Sequence, residues 1–434
     1  MKITKSLVDN YLKNLFPINR SITGDGNRKT LSIIKQIIPI KTYEIPTGKK
    51  VYDWTIPKEW SVKEAWLKNS KGIKVIDFKK SNLHILNYSI PYKGKLKLSD
   101  FRSKLFFNKN NPDSIPYKTS YYNKNWGFCL SYNVFKKFFN DDNEIFEIYI
   151  DTELKDGSLT IADYDIDANG LSAKSYFFST YFCHPSLAND NLSGTLLTAL
   201  LASKLKNKKL RNNYKFIFVP ETIGSISYCA KKTKEIKAMS GGFILSCVAG
   251  PGKYSYKKTF LNDSEIDKAV QISFNDLNIP FDEYPFIPQG SDERQYSSPG
   301  FRIPVASIHK SKYNEYDEYH TSLDNLDFIS STNMINTLNI YLYIVDVLEK
   351  NVVFESCNKN CEPKLDKHNL YPKIGRTFLS KNSIDAELDM ILWLLFYADK
   401  KNFLLDIAIK HNFNFLSLWN VLKKLEKKRL IKVS

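Results

Sequence analysis

The sequence predicts an α/β fold: a mainly parallel sheet with helices on both faces, joined to a mostly-β region and a terminal helical module. Three observations carry this. From about residue 158 to 350, apolar strand-length runs alternate with segments of helical periodicity, the pattern of a parallel sheet whose crossovers are helices. From about 43 to 155 the pattern shortens to strand-length pieces broken by Pro, Gly and Asn. From 363 onward only short helical stretches recur.

Taken in order, residues 3 to 39 show helical periodicity twice, in "SLVDNYLKNLF" and "NRKTLSIIKQII", with "SITGDG" breaking the pattern between them. "YEIPTGKKVYDWTIP", "KVIDFKKSNLHILNYSIPY" and "IFEIYIDTEL" read as strands of the mostly-β region. The alternating region opens with the strand "SYFFSTYF" and the helix "TLLTALLASKL", then the strand "YKFIFVP" and a helix after "ETIGS". "GGFILSCVA" is again a strand, "EIDKAVQISFNDL" a helix, "IPVASI" a strand and "INTLNIYLYIVDVLEKN" a long helix. A linker, "CNKNCEPKLDKHNLYPK", leads to "SIDAELDMILWLLFYA", "FLLDIAIKHN" and "FLSLWNVLKKLEKKRL", a helix-turn-helix-like set.

At 434 residues the chain is long enough for two or three domains. A hydrophobic share of 43% with 14% aromatics supports large buried cores and excludes a disordered chain. The net charge of +17 comes mainly from lysine scattered along the chain. It therefore reads as general basicity rather than as the clustered footprint of a nucleic-acid surface. The six cysteines (Cys129, Cys183, Cys229, Cys247, Cys357, Cys361) show no CxxC pairing, so neither a zinc ribbon nor a disulfide framework is expected. The start "MKITKSLVDNYLKNLFP" is charged throughout, unlike a signal peptide, and the longest apolar run, "MILWLLFYA", is too short to span a bilayer. A reduced, cytoplasmic setting without a membrane partner is the expectation.

In open α/β sheets, functional groups collect beyond the carboxyl ends of the strands. His184 follows "STYF", Asp190 precedes "LSGTLLTALLA", Glu221 follows "FIFVP", Cys247 ends "FILS", and His320 lies in "EYHTSLDNLD" after "IPVASI". Imidazole and carboxylate groups delivered to one sheet edge form a ligand set for zinc or a similar divalent ion. Each residue alone also has a plainer reading: packing for His184, a helix N-cap for Asp190, first-turn charge for Glu221.

"HPSLANDNLSG" resembles the histidine and bridging-aspartate segment of the co-catalytic zinc aminopeptidases. "PETIGS" is similar to their acid pair, "ILSCVAG" to the strand that ends in a ligand aspartate, "PQGSDERQYSSPGFRIPVASI" to their Ser-Asp segment, and "YHTSLDNLDFIS" to their closing histidine motif. The order agrees from about 160 to 345. Over nearly its whole length the chain resembles a bacterial aminopeptidase-like family whose members are often named for polysaccharide biosynthesis. That resemblance implies a zinc-aminopeptidase-like mixed sheet flanked by helices, built from residues 1–42 and 156–355. It also implies an inserted β domain over 43–155 and a winged-helix-like domain over 363–434. Two positions depart from the pattern: Thr222 stands where the relatives carry a second acid, and Cys247 where they carry an aspartate.

The implied centre is one zinc held by His184, Asp190 and His320, with Cys247 an optional ligand and a second metal doubtful. Glu221 would take a proton from the attacking water and return it to the leaving amine. Asp292 would orient a ligand histidine or the substrate amine, and Arg294 would meet a substrate carboxylate; the same segment is also readable as a plain polar loop. Asp324 reads as a loop cap. The expected substrate is a peptide or a small amide-containing molecule. A non-hydrolytic binding relative and a DNA-binding regulator remain as alternatives. Residues 363–434 carry fourteen Lys and Arg against seven Asp and Glu. Their last helix places Leu416, Leu418, Trp419, Leu422 and Leu425 on an apolar face, and its lysines cluster at the carboxyl end, where the helix dipole favours them. A docking or homo-oligomer-forming module is therefore expected, and a nucleic-acid partner is not.

Overall fold

The computed structural model describes residues 2–168, 174–370 and 384–433. The end of the expected linker and the part of the terminal module between 371 and 383 lie outside the described residues. The chain divides into two compact units, one of residues 1–262 and 281–338, the other of 263–280 and 339–434.

The first unit is organised by an eight-stranded mixed sheet. Its order is Lys41–Pro46, Ser158–Ile166, Asn213–Val219, Ser175–Tyr181, Gly241–Leu245, Val305–Lys310, Tyr254–Lys257 and Phe281–Tyr284. The four central strands, from Asn213–Val219 to Val305–Lys310, are mutually parallel. Antiparallel neighbours flank them: Ser158–Ile166 on one side and Tyr254–Lys257 on the other. Parallel central strands are covered on both faces and so read as continuous apolar runs; Phe177, Phe178, Phe216, Ile217, Phe243 and Ile244 are fully buried.

The helix Gly194–Leu205 shows no amphipathic stripe because nearly all its residues are buried. Its first residue must be glycine, since a Cβ there would collide with the carbonyl of Leu245 and with Asn191. The helices Lys5–Leu15 and Asp25–Ile37 bury one face each, through Val8, Leu12 and Leu15 and through Leu31, Ile34 and Ile37.

Residues 43–155 belong to the same compact unit as the large sheet. They contain an antiparallel four-stranded sheet in the order Lys74–Asp77, Glu59–Lys68, Ile145–Lys155 and Tyr92–Lys97. Alternation along Ile145–Lys155 buries Phe146, Ile148 and Ile150 on one face, as period-2 patterning requires. A segment of this region is clipped to the loop after Val305–Lys310. Tyr117 N donates to His320 O at 2.7 Å and Ser322 N to Ile115 O at 2.9 Å.

In the second unit a three-stranded antiparallel sheet runs in the order Asp399–Phe403, Val353–Ser356 and Ile431–Val433. Its helices include Glu265–Asp276, Ile384–Phe396, Leu404–His411 and Phe415–Lys427. The first begins with a reciprocal capping box between Ser264 and Asp267. Leu418, Leu422 and Leu425 are buried, whereas Leu416 and Trp419 are only half-buried. The central strand lies before residue 363, where the sequence pattern starts the terminal module. Four residues next to a Cys-, Lys- and Asn-rich linker carry too little periodicity to announce a strand.

Candidate metal centre

The parallel strands deliver their carboxyl ends to one edge of the sheet, where turns must leave with polar side chains. Ser175–Tyr181 leads to His184, whose carbonyl accepts from Arg20 Nε at 2.9 Å. Asp190 sits in the irregular turn Ala188–Ser193, before the helix rather than capping it. Asp324 fixes that turn from 134 positions away: its Oδ1 accepts from Asn189 N at 2.6 Å and its Oδ2 from Asp190 N at 3.0 Å. Tyr181 Oη donates to Asp190 Oδ1 at 2.5 Å. Asp324 thus caps a distant turn, besides accepting from Tyr316 of its own loop at 3.4 Å.

His184, Asp190 and His320 converge. His320 Nε2 lies 2.8 Å and His184 Nδ1 3.4 Å from Asp190 Oδ2, and one ligand atom from each residue lies within 4.8 Å of the others. Asp190 Oδ2 and His320 Nε2 are both buried and face each other, and among the described residues neither makes a contact of hydrogen-bonding geometry. Buried polar atoms left this way are rare, and an imidazole–carboxylate–imidazole set fits a shared divalent cation.

The electrostatics agree. Burial disfavours a charged His184, but the Asp190 carboxylate, with Cys183 and Tyr117, outweighs it and raises its pKa well above the ordinary value. Burial likewise pushes Asp190 up, and His184 with His320 more than reverses this, holding it far below the usual carboxylate range. A strongly retained carboxylate between two imidazoles is cation-seeking.

Cys247 stands outside this set. Its Sγ donates to Asp190 Oδ1 at 3.7 Å. Burial, then the charges of Asp190 and Asp324, raise its thiol well above the ordinary value. Thr222, Cys247 and His320 all have positive φ, at 62°, 53° and 53°. For β-branched Thr222 this is a strained conformation, and strain of this kind gathers at functional sites.

Glu221 faces the cluster. Its Oε2 lies 3.5 Å from His184 Nε2, and its Oε1 accepts from Ser291 Oγ at 2.9 Å. Asp292 is buried, and its partners are Thr222 N and Ser225 Oγ, both at 2.8 Å; neither is a ligand histidine. Burial, then the Glu221 charge, push Asp292 up to about 8. Arg294 is exposed, with Nη2 3.5 Å from Thr222 Oγ1. The loop that carries Ser291 is tied down by the buried ion pair of Lys257 with Glu293.

A cavity of about 370 Å³ opens on the centre, lined by His184, Glu221, Thr222 and His320 and walled by Trp54, Tyr117, Tyr121 and Tyr122. The Tyr117 ring stands 5.2 Å from that of His184 and 5.4 Å from that of His320. A larger concavity, about 1010 Å³, lies in the second unit around Trp393 and Phe396, and no histidine is among its described lining residues. Sequence reasoning missed Tyr117 and Ser291, each one polar or aromatic residue among many. The motif "YHTSLDNLD" did hold the signal for Asp324.

Known proteins bear on this geometry. A family model described as a domain of unknown function (DUF4910) matches residues 9–351, and one described as a winged helix-turn-helix matches 352–433. A Clostridium acetobutylicum protein named "Putative polysaccharide biosynthesis protein with aminopeptidase-like domain" is 42% identical over 408 residues, covering 94% of this chain and 91% of its own. A solved structure from the same organism, described as a "putative peptidase", is 39% identical with a TM-score of 0.91, covering 99% of this chain and 96% of its own. The zinc aminopeptidase BSAP of Bacillus subtilis shares the fold at 14% identity, with a TM-score of 0.54, over 78% of this chain and 94% of its own.

Proposed function

Since the chain belongs to the family described as a domain of unknown function (DUF4910), with an aminopeptidase-like fold and a terminal winged helix, we propose that it is a metal-dependent hydrolase of amide or peptide bonds. His184, Asp190 and His320 hold one zinc ion. The observation that supports this reading is the convergence of His184 and His320 on the buried Asp190 carboxylate, with Asp190 Oδ2 and His320 Nε2 2.8 Å apart but outside hydrogen-bonding geometry. The bound ion supplies Lewis-acid polarisation of the scissile carbonyl and acidifies a water.

The chain's own residues do the rest. Glu221, at the mouth of the cluster, accepts the proton of the attacking water on the oxygen not engaged by Ser291, then delivers it to the leaving nitrogen. Asp324 and Tyr181 hold the Asp190 carboxylate in place from its backbone and from Oδ1, leaving Oδ2 for the metal. Asp292 supports the strained Thr222 backbone at the start of the helix Ile223–Lys231. Arg294, exposed beside Thr222, is proposed as the partner of a substrate carboxylate. Metal analysis of the purified protein, combined with hydrolysis of dipeptides, aminoacyl anilides and N-acylated compounds, tests the proposal. A metal-loaded protein inert on every amide would leave the non-hydrolytic binding reading.

For the terminal module we propose docking or self-association. Three of its last helix's five apolar candidates are buried, which leaves that helix an ordinary packing element. Sedimentation of the intact chain over a range of concentrations checks this. Sequence-specific DNA binding at physiological salt would overturn it. No helix among the described residues is long and apolar enough to cross a membrane.

A further inference from the structure

Resting on the hydrolase reading, we propose that the cavity takes an N-acylated, ring-bearing amide rather than a peptide with a free amino terminus. Its ring would lie on the aromatic wall raised by residues 43–155. The wall is built outward from the metal centre. Tyr117 is buried against both histidines, and its hydroxyl hydrogen-bonds that of Tyr121 at 2.5 Å. Tyr121 stands 6.3 Å from Tyr122, and Tyr122 meets Trp54 edge-on at 5.7 Å. Tyr117 is buried and Tyr121 half-buried, whereas Trp54 and Tyr122 keep 36% and 55% of their surface exposed while lining the cavity. Exposed aromatic surface beside an anchored aromatic row is a stacking platform for another ring.

The charges set what the ring can carry. A free ammonium in the cavity needs a carboxylate partner, because an unpaired buried charge is costly. Among the described lining residues the only carboxylate is Glu221, already engaged by Ser291 and facing His184. The neighbouring position is the neutral Thr222. Apart from the histidines of the metal centre, the other charged group among the described lining residues is Lys118, which is exposed and positive. A neutral acylamide avoids the missing partner, and an anionic substituent would gain Lys118.

Calorimetric binding to the intact zinc-loaded protein tests this independently of turnover. The probes are N-acetyltyrosine and an N-acetylated amino-sugar uronate, each beside its free-amine counterpart. At least one acylated compound should bind about tenfold or more tightly than its free-amine form. The double variant Trp54→Ala, Tyr122→Ala should lose that affinity at unchanged zinc content. The two arms distinguish an aromatic from a sugar ring. Tighter binding of the free amines, binding indifferent to the double variant, or no binding by any probe would overturn the proposal. Selective binding without any hydrolysis would sink the hydrolase reading and leave the subsite standing. Hydrolysis confined to free-amine peptides would do the reverse.

Discussion

Asp324 accepts hydrogen bonds from the backbone N–H groups of Asn189 and Asp190, with its two oxygens divided between them. The turn that presents Asp190 is therefore fixed by a residue far along the chain, four positions after His320. Asp324→Ala would leave two buried donors without partners, at about 1–3 kcal/mol each. The expected outcome is a folded protein whose zinc affinity falls roughly 10–100-fold, measured by competition with a chelating dye.

Glu221→Gln should keep the fold and the zinc content yet lose hydrolysis by roughly 10²–10⁴-fold, the range of a general acid-base group. Thermal unfolding with and without zinc checks the first half and steady-state kinetics the second. Loss of zinc in this variant would make Glu221 a ligand.

Cys247→Ser should leave zinc affinity unchanged. The thiol lies outside the convergent set and is held protonated by burial and by two nearby carboxylates. A clear drop in affinity would place Cys247 among the ligands.

His309 is fully buried, and among the described residues neither of its ring nitrogens has a hydrogen-bond partner. Burial, helped by Lys312 and Lys257, lowers it to about 3. The unfolded chain takes up this proton below about 6.5 and the folded one only below about 3, so stability is full above the upper value and falls as pH drops through that window. The contribution is on the order of a few kcal/mol over the window. Urea unfolding between pH 4 and 7 should show a shallower acid loss in His309→Leu than in the natural chain. Equal slopes would show that another group drives it.

The central strands and most helices were legible because each carries its own pattern. The aromatic runs "SYFFST" and "YKFIFV" have the length and aromatic content of strands buried on both faces, and the residues just past their ends are the natural place for His184 and Glu221. What the sequence did not show depends on long-range contacts. The strand Val353–Ser356 is four residues long and gains its identity only from Ile431–Val433 and Asp399–Phe403. Tyr117 faces the two histidines through a backbone clip to His320, some two hundred positions away, and nothing local to "IPYKTSYY" marks it. The segment "GSDERQ" offers Asp292 as a residue orienting a ligand histidine or the substrate amine, whereas its hydrogen-bond partners belong to a helix start.

X-ray absorption at the zinc edge, on intact protein loaded with one equivalent of zinc, reads the ligands of the metal themselves. A centre of His184, Asp190 and His320 gives a shell of nitrogen and oxygen at about 2.0–2.2 Å without a sulfur contribution, two imidazoles in it, and loss of that shell in both Asp190→Asn and His320→Ala. A sulfur shell near about 2.3 Å, or an unchanged spectrum in those variants, would place the metal elsewhere and contradict a centre built from His184, Asp190 and His320.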